Sequence, residues 1–348
     1  MLRRLGPLAW RDARIAELES KLRERQERLD TAREEARAAG DKAASRPKAT
    51  VPSWHARIME QQRVQRAVNA LNGSDDHPRR NLFRKLHNYE VARSHGVATP
   101  RVLEIWPGLR ELRLDSLPDE FVLKSNGGST GRGVLPLERT SEGFRLVDGT
   151  RTYSAEEVMS HFTEARGVRP PYFAETLLPG AQERLPDDIK IYAFYGEIAY
   201  VMVRRMPAHA DVTQGLARMV TPAGEHLEVV QRFRPSDASV PVPDQLPLMV
   251  ETARALSLAV PLPFIRVDLY AAGTDGVILG ELTPLPGNSQ TFTPEWGRRL
   301  GEMYDQAEAR LQVDLTHGRP YRTLYGEHDR DLTTSVRRTT TPPQRPNW

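Results

Sequence analysis

Phe121-Val122-Leu123-Lys124-Ser125-Asn126-Gly127-Gly128-Ser129-Thr130-Gly131-Arg132-Gly133-Val134 is the stretch on which the fold turns. An apolar run ending in lysine reads as a short strand. The four glycines, interleaved with serine and threonine, let backbone N–H groups approach an anion with no side chain in the way. Lys124 sets a point charge beside them, and phosphate is the ligand this combination suits. A Walker loop places its lysine after the glycines, followed by serine or threonine, whereas Arg132 here is followed by Gly133. A dinucleotide fingerprint opens a helix, but Val134-Leu135-Pro136-Leu137 reads as strand. A kinase glycine loop precedes its lysine, and no H-R-D-type loop occurs. What remains is a strand–lysine–glycine-flap–strand unit, or a plain flexible hairpin turn.

A second hairpin separates these two readings. In Phe264-Ile265-Arg266-Val267-Asp268-Leu269-Tyr270, alternation puts Ile265, Val267 and Leu269 on one face and Arg266, Asp268 and Tyr270 on the other. A symmetric turn around Gly273-Thr274-Asp275-Gly276 sets Asp268 opposite Glu281 and Arg266 opposite Thr283. Two carboxylates facing each other across a ladder repel. Either a divalent cation relieves them, as Mg2+ does with one or two carboxylates plus substrate phosphates, or Arg266 neutralises the pair without metal. The rigid Pro284-Leu285-Pro286-Gly287-Asn288 loop offers Asn288 as a further oxygen ligand.

The rest of the chain bounds these sites. Its 348 residues allow two or three domains. Cysteine is absent, which removes disulfides, zinc thiolates and a cysteine nucleophile, and suits a reducing cytoplasm. No apolar run reaches the roughly 18–20 residues of a membrane span, and the broken apolar patch of MLRRLGPLAW is too short for a secretory segment. Net charge is +3, but residues 1–50 carry +4 and residues 333–348 carry +3, so the remainder is −4. That balance does not point to nucleic acid. Residues 11–39 are expected to be one helix with Ile15, Leu18, Leu22, Leu29, Ala32, Ala36 and Ala39 on a seam broken by Arg25. It is either a short coiled coil forming a homodimer or docking a partner, or a solvated charged helix. Helices are also expected at 54–71, 82–96, 244–259 and 294–311, short strands from 121 to 206, and a disordered Thr/Pro-rich end. Arg204 and Arg205 end the apolar strand 198–203, which should pair with 189–194 and turn one arginine to a cleft. Arg218 and Arg232 are further candidates for binding an acidic group.

At this point the residues resemble the ATP-grasp enzymes, and among them the TupA-like group named for teichuronopeptide biosynthesis. The resemblance covers residues 80–312. Lys85-Leu86 with Gly96-Val97-Ala98-Thr99-Pro100 resembles the opening helix and turn. FVLKSNGGSTGRGV resembles the lysine strand and phosphate flap, and Ala174-Glu175-Thr176-Leu177-Leu178 the adenine hinge. Leu185-Pro186-Asp187-Asp188-Ile189-Lys190 is similar to the strand that follows. RVDLY and GELTPLPG resemble the two metal strands, and Pro294-Glu295-Trp296 the turn after them.

The resemblance implies an α/β (α+β) ATP-grasp fold, two α+β lobes clasping ATP, with the helical or coiled-coil extension at the N-terminus. The implied divisions are 1–50 for the helix and linker, 51–115 for a helical region, 116–180 for the small lobe, 181–318 for the large lobe and 319–348 for the tail. It implies ATP and Mg2+ as cofactors. Lys124 would bind α- and β-phosphates, and Gly127, Gly128, Ser129, Thr130 and Gly131 would cover them. Lys85 is the nearby candidate for a second ATP lysine. Glu175, Leu177 and Leu178 would flank adenine, Glu183 would hold the ribose and Lys190 would reach a phosphate. Asp268 and Glu281 would hold Mg2+, although Thr283 stands where many ATP-grasp enzymes have asparagine. Arg266 would steady an acylphosphate formed from a small or carrier-borne acidic carboxylate, which an amine then converts to an amide. The implied activity is a carboxylate–amine ligase in surface-polymer or peptide-like natural-product biosynthesis, with a phosphotransferase or a non-catalytic nucleotide-binding scaffold as alternatives.

Overall fold

Alternating apolar residues build two antiparallel sheets, and each buries one face under helices. The computed structural model describes residues 18–32, 34, 51–73, 76–128, 131–165, 167–178, 185–206, 215–272, 276–334 and 339–347. The chain divides into two compact units, Met1–Val51 and Pro52–Trp348. In the first, residues 18–32 form helix α1, with Leu18, Leu22 and Leu29 exposed. The rest of the 11–39 helix expectation falls almost wholly outside the described residues. No helix is long and apolar enough to cross a membrane among those residues.

In the second unit, a six-stranded sheet has the order β1-β6-β2-β3-β4-β5. Its strands are β1 (Val102–Trp106), β2 (Glu120–Gly127), β3 (Val134–Thr140), β4 (Gly143–Leu146), β5 (Thr152–Tyr153) and β6 (Arg169–Glu175). Leu123, Leu135, Leu137 and Phe144 pack on one face with Val158 and Phe162 of α5 (Ala155–Glu164). That helix interrupts a region read from sequence as strand. Its signals are local: a Ser154–Glu157 capping box and apolar residues at i and i+4.

A five-stranded sheet has the order β11-β10-β7-β8-β9. It is formed by β7 (Asp188–Phe194), β8 (Glu197–Arg205), β9 (Leu216–Val220), β10 (Ile265–Ala272) and β11 (Gly276–Thr283). Ile189, Ile191, Val201, Val203, Val267 and Leu269 pack beneath α6 (Leu246–Ala259). The opposite face is divided. Tyr192, Tyr200, Met202 and Met219 lie in the cluster formed with α2 (Trp54–Ala70) and α7 (Pro294–Thr316). The Trp54 indole is fully buried, 4.7 Å from the Phe264 ring and 5.6 Å from Phe194. Burying an indole of ~200 Å² contributes about 5 kcal/mol. The remainder of this face carries charged side chains.

A short helix, α3 (Pro78–Asn81), precedes α4 (Lys85–Ser94), which ties the two sheets together. Asn126 of β2 accepts a bond from the Leu86 N–H at 2.9 Å, satisfying one orphan donor at the helix start. Asn88 donates to the Leu282 carbonyl of β11 at 3.2 Å. The C-terminal stretch is not wholly free, as its composition suggested. Thr339 bridges to Val277, and its hydroxyl accepts from the Ala98 N–H at 2.7 Å. A β11 edge with unpaired backbone groups gives even a polar segment somewhere to dock.

Candidate functional site

Antiparallel pairing of β2 with β6 sets Val122 against Glu175 and Lys124 against Phe173, so Lys124 and Glu175 share a face. The Lys124 ammonium lies 2.5 Å from the Glu175 carboxylate and donates to the Tyr89 hydroxyl at 3.1 Å. Tyr89 in turn donates to the other Glu175 oxygen at 2.8 Å. All three are buried. Glu175, which the hinge resemblance assigned to adenine, therefore also neutralises the flap-strand lysine. The flap needs its glycines: Gly128, Gly131 and Gly133 have φ of 120°, 76° and 71°. A Cβ on Gly133 would run into the Ser125 hydroxyl and come within 2.8 Å of Val168. Ser129 and Thr130 lie outside the described residues.

Lys85, at the first turn of α4, points into the same region and donates to the Gly128 carbonyl at 3.3 Å. Burial lowers its pKa. Glu281 opposes that shift, Lys124 adds to it and Glu175 opposes it. These neighbours belong to both sheets, so α4 carries one lysine to the point where the two meet.

On the five-stranded sheet, Asp268 pairs with Glu281 and Arg266 with Thr283, as the hairpin reading expects. The cause is different. Near the turn Leu269 faces Leu279 and Ala272 faces Gly276, one residue out of that register. A bulge at Gly280 restores it at the carboxylates. A Cβ on Gly280 would lie 2.6 Å from the Tyr270 ring, so any other residue at the bulge must push that ring aside.

Asp268 also faces Lys190 on its other side. Arg266 grips both Asp268 oxygens at 2.6 Å and reaches the Thr283 hydroxyl at 3.1 Å, while Lys190 approaches Asp268 to 2.5 Å. Burial would lower the Arg266 pKa, but the Asp268 carboxylate raises it above its ordinary value. Lys190 also contacts Asp188 at 2.8 Å, and Arg204 meets the same Asp188 oxygen at 2.5 Å. Burial would raise the Asp188 carboxyl, but Lys190 and Arg204 hold it down to about 2. The result is a chain of alternating charge across three strands. The Glu281 carboxylate makes no hydrogen bond or ion pair among the described residues, although its backbone pairs with Asp268.

Two of the expected arginines turn away from this cluster. Arg205 points away from Arg204 and forms a two-point bond with Asp187 at 2.9 and 3.0 Å. Arg218 pairs with Val203, on the face covered by α6, and donates to the Ala238 and Val240 carbonyls. Asn288 is exposed with φ of 61°. Leu177 and Leu178 follow β6 half-buried, and Glu183 lies outside the described residues. Two buried members escaped the sequence reading. Tyr89 lies one helical turn beyond Lys85, and Asp188 two strand positions before Lys190, so each shares a face with a residue already singled out. Among the described residues no three His, Cys, Asp or Glu form a metal cluster.

No curated protein matches the sequence significantly. Solved structures offer distant likenesses. A D-alanine–D-alanine ligase from Bacillus anthracis complexed with ATP has 15% identity over 68% of this chain and 69% of its own, with a TM-score of 0.42. D-cycloserine synthetase DcsG has 16% identity, coverage of 73% and 80%, and a TM-score of 0.42. An L-amino acid ligase from Bacillus licheniformis has 13% identity, coverage of 65% and 46%, and a TM-score of 0.40. The TupA-like ATPgrasp family profile matches residues 70–305, more than half of the sequence, and the chain belongs to that family.

Proposed function

We propose that this protein is an ATP-dependent carboxylate–amine ligase working through an acylphosphate. The observation that carries this reading is the pairing of Asp268 with Glu281 beside Arg266 and Lys190, on a sheet face that α4 joins to Lys85 and Lys124. Buried cations and a paired-carboxylate rung are what phosphoryl transfer asks of a protein, since the chemistry needs positioning and charge neutralisation rather than a protein nucleophile. The small lobe (116–180) and large lobe (181–318) clasp the nucleotide, with Glu175, Leu177 and Leu178 beside adenine and Glu183 at the ribose. The flap glycines with Ser129 and Thr130 cover the phosphates, and Lys124, Lys85 and Lys190 bind them.

The donor set fits a hard cation: Glu281 is uncommitted among the described residues and stands across the ladder from Asp268. Asp268, Glu281 and the Asn288 oxygen would hold Mg2+, whose chemistry is to neutralise phosphate charge. Arg266 orients the acid carboxylate for attack on the γ-phosphate and then stabilises the acylphosphate. The amine displaces phosphate to give the amide. Such a reaction suits surface-polymer or peptide-like natural-product biosynthesis in the cytoplasm, with α1 and its neighbours pairing two copies.

The test is to incubate the protein with Mg-ATP and a panel of acids, with and without amines, beside Lys124→Ala and Glu281→Gln. ADP and phosphate requiring both acid and amine, and lost by at least a hundredfold in both variants, is expected. AMP as product, or no nucleotide binding, refutes the reading. ADP with a phosphorylated acid or alcohol and no amine requirement would make it a phosphotransferase.

A further inference from the structure

Asp268 and Arg266 consume each other. Arg266 donates from Nε to Oδ1 and from Nη2 to Oδ2 of Asp268, both at 2.6 Å, and Lys190 reaches Oδ2 at 2.5 Å. A carboxylate offers about four lone-pair positions. These three contacts leave one, on Oδ1. The Arg266, Lys190 and Asp268 side chains are 15%, 11% and 6% exposed, so water does little to screen a charge placed among them. A dication that used the last lone pair would stand beside two cations at short range. One of the two must give way for Asp268 to serve as a cation ligand.

The two are not equally tied. Lys190 has a second carboxylate, Asp188, at 2.8 Å. Arg266 has only the Thr283 hydroxyl besides, at 3.1 Å, and no second carboxylate among the described residues. Displacing Lys190 frees a position on one oxygen. Displacing Arg266 frees a position on each, and turns loose a guanidinium fork whose shape matches a carboxylate. Arg266 and Asp268 lie two apart on one strand face, on either side of the fully buried Val267. The fork reaches Asp268 by folding along the strand, so letting go takes a side-chain rotation and no shift of the backbone.

We propose that the Arg266–Asp268 grip is an exchange latch: a divalent cation taking Asp268 releases Arg266 to the carboxylate of the acid substrate, so the two ligands bind with positive cooperativity. This rests on the ligase reading, which assigns the cation to Asp268 and Glu281 and the acid to Arg266. Either ligand alone must break a buried ion pair and leave one member without a counter-charge. Both together satisfy both members. The coupling is reciprocal, so the cation tightens the acid by the factor by which the acid tightens the cation. The acid is held firmly only once the metal nucleotide is in place.

The test uses the full chain and calorimetry. Affinity for a non-hydrolysable ATP analogue is measured with Mg2+ and with a chelator, and the ratio of the two is the gain from Mg2+. That gain should rise roughly tenfold in Arg266→Gln and roughly threefold in Arg266→Lys, which keeps the charge but cannot grip two oxygens. Acetate, succinate and L-glutamate are then titrated with and without the Mg2+–analogue complex. At least one should bind the original protein roughly tenfold more tightly in its presence, and Arg266→Gln should lose that difference. A gain from Mg2+ unchanged in both variants overturns the latch. A rise in Arg266→Gln alone assigns the effect to charge repulsion and overturns it too. Carboxylates that bind the original protein equally with and without the complex overturn the handover of Arg266. Failure of the analogue to bind the original protein at all sinks the ligase reading, and the latch with it.

Discussion

Replacing Glu175 by Gln keeps the side chain's shape and its Tyr89 contact but removes the charge opposite Lys124. The ammonium and carboxylate are 2.5 Å apart, with side chains 11% and 3% exposed, so water cannot take over the lost role. Breaking a buried pair by removing one partner costs about 3–5 kcal/mol. For a unit of this size, with roughly 2 °C per kcal/mol, the midpoint should fall by about 6–10 °C. On the proposed binding of nucleotide phosphate by Lys124, Mg-ATP should reverse part of that loss. In the unaltered protein Lys124 must first leave Glu175, so the variant should bind ATP more tightly by roughly tenfold, or about 1.4 kcal/mol. Thermal unfolding and calorimetry, each with and without Mg-ATP, read both effects. A midpoint within 2 °C of the original (about 1 kcal/mol), or a nucleotide-induced rise no larger than the original's, would falsify the idea that Glu175 stands in for phosphate.

Trp54→Ala should destabilise the second unit by about 3–5 kcal/mol in urea unfolding, because the indole packs among Phe194, Phe264 and Phe292. Gly280→Ala should cost about 1–3 kcal/mol and depress Mg2+-dependent turnover more than ATP binding. Its Cβ displaces the Tyr270 ring at the bulge that aligns Asp268 with Glu281; equal losses in both readouts would count against that role. Burial, with Arg84 adding, lowers the His87 pKa from 6.5 to about 4. The unfolded chain therefore binds the extra proton between those values, so His87 destabilises the fold progressively as pH falls from 6.5 towards 4. His87→Phe should flatten that limb of the stability–pH profile by about 2–3 kcal/mol, and an unchanged limb would refute the assignment.

The legible parts of this protein were the local ones. Lys124 with its glycines sits within a single strand and turn, and Asp268 and Glu281 within one hairpin, although the bulge at Gly280 that sets them opposite each other was not legible. There period-two alternation and turn chemistry decide which side chains share a face, whatever the rest of the chain does. The same logic could have reached Asp188 through Lys190 and Tyr89 through Lys85. Contacts between distant segments were not legible. Tyr89 meets Glu175 across 86 positions, and Lys190 meets Asp268 across 78. No periodicity encodes which strand lies beside which. Strand position offered Arg204 and Arg205, with Arg218 and Arg232 behind them, but pairing turned Arg204 towards Asp188, gave Arg205 to Asp187 and set Arg218 on the other face of the sheet, while Arg232 is exposed on the segment after β9. Alternation settles which residues travel together; burial of two sheets against shared helices settles which groups meet, because that arrangement minimises exposed apolar surface over the whole unit at once.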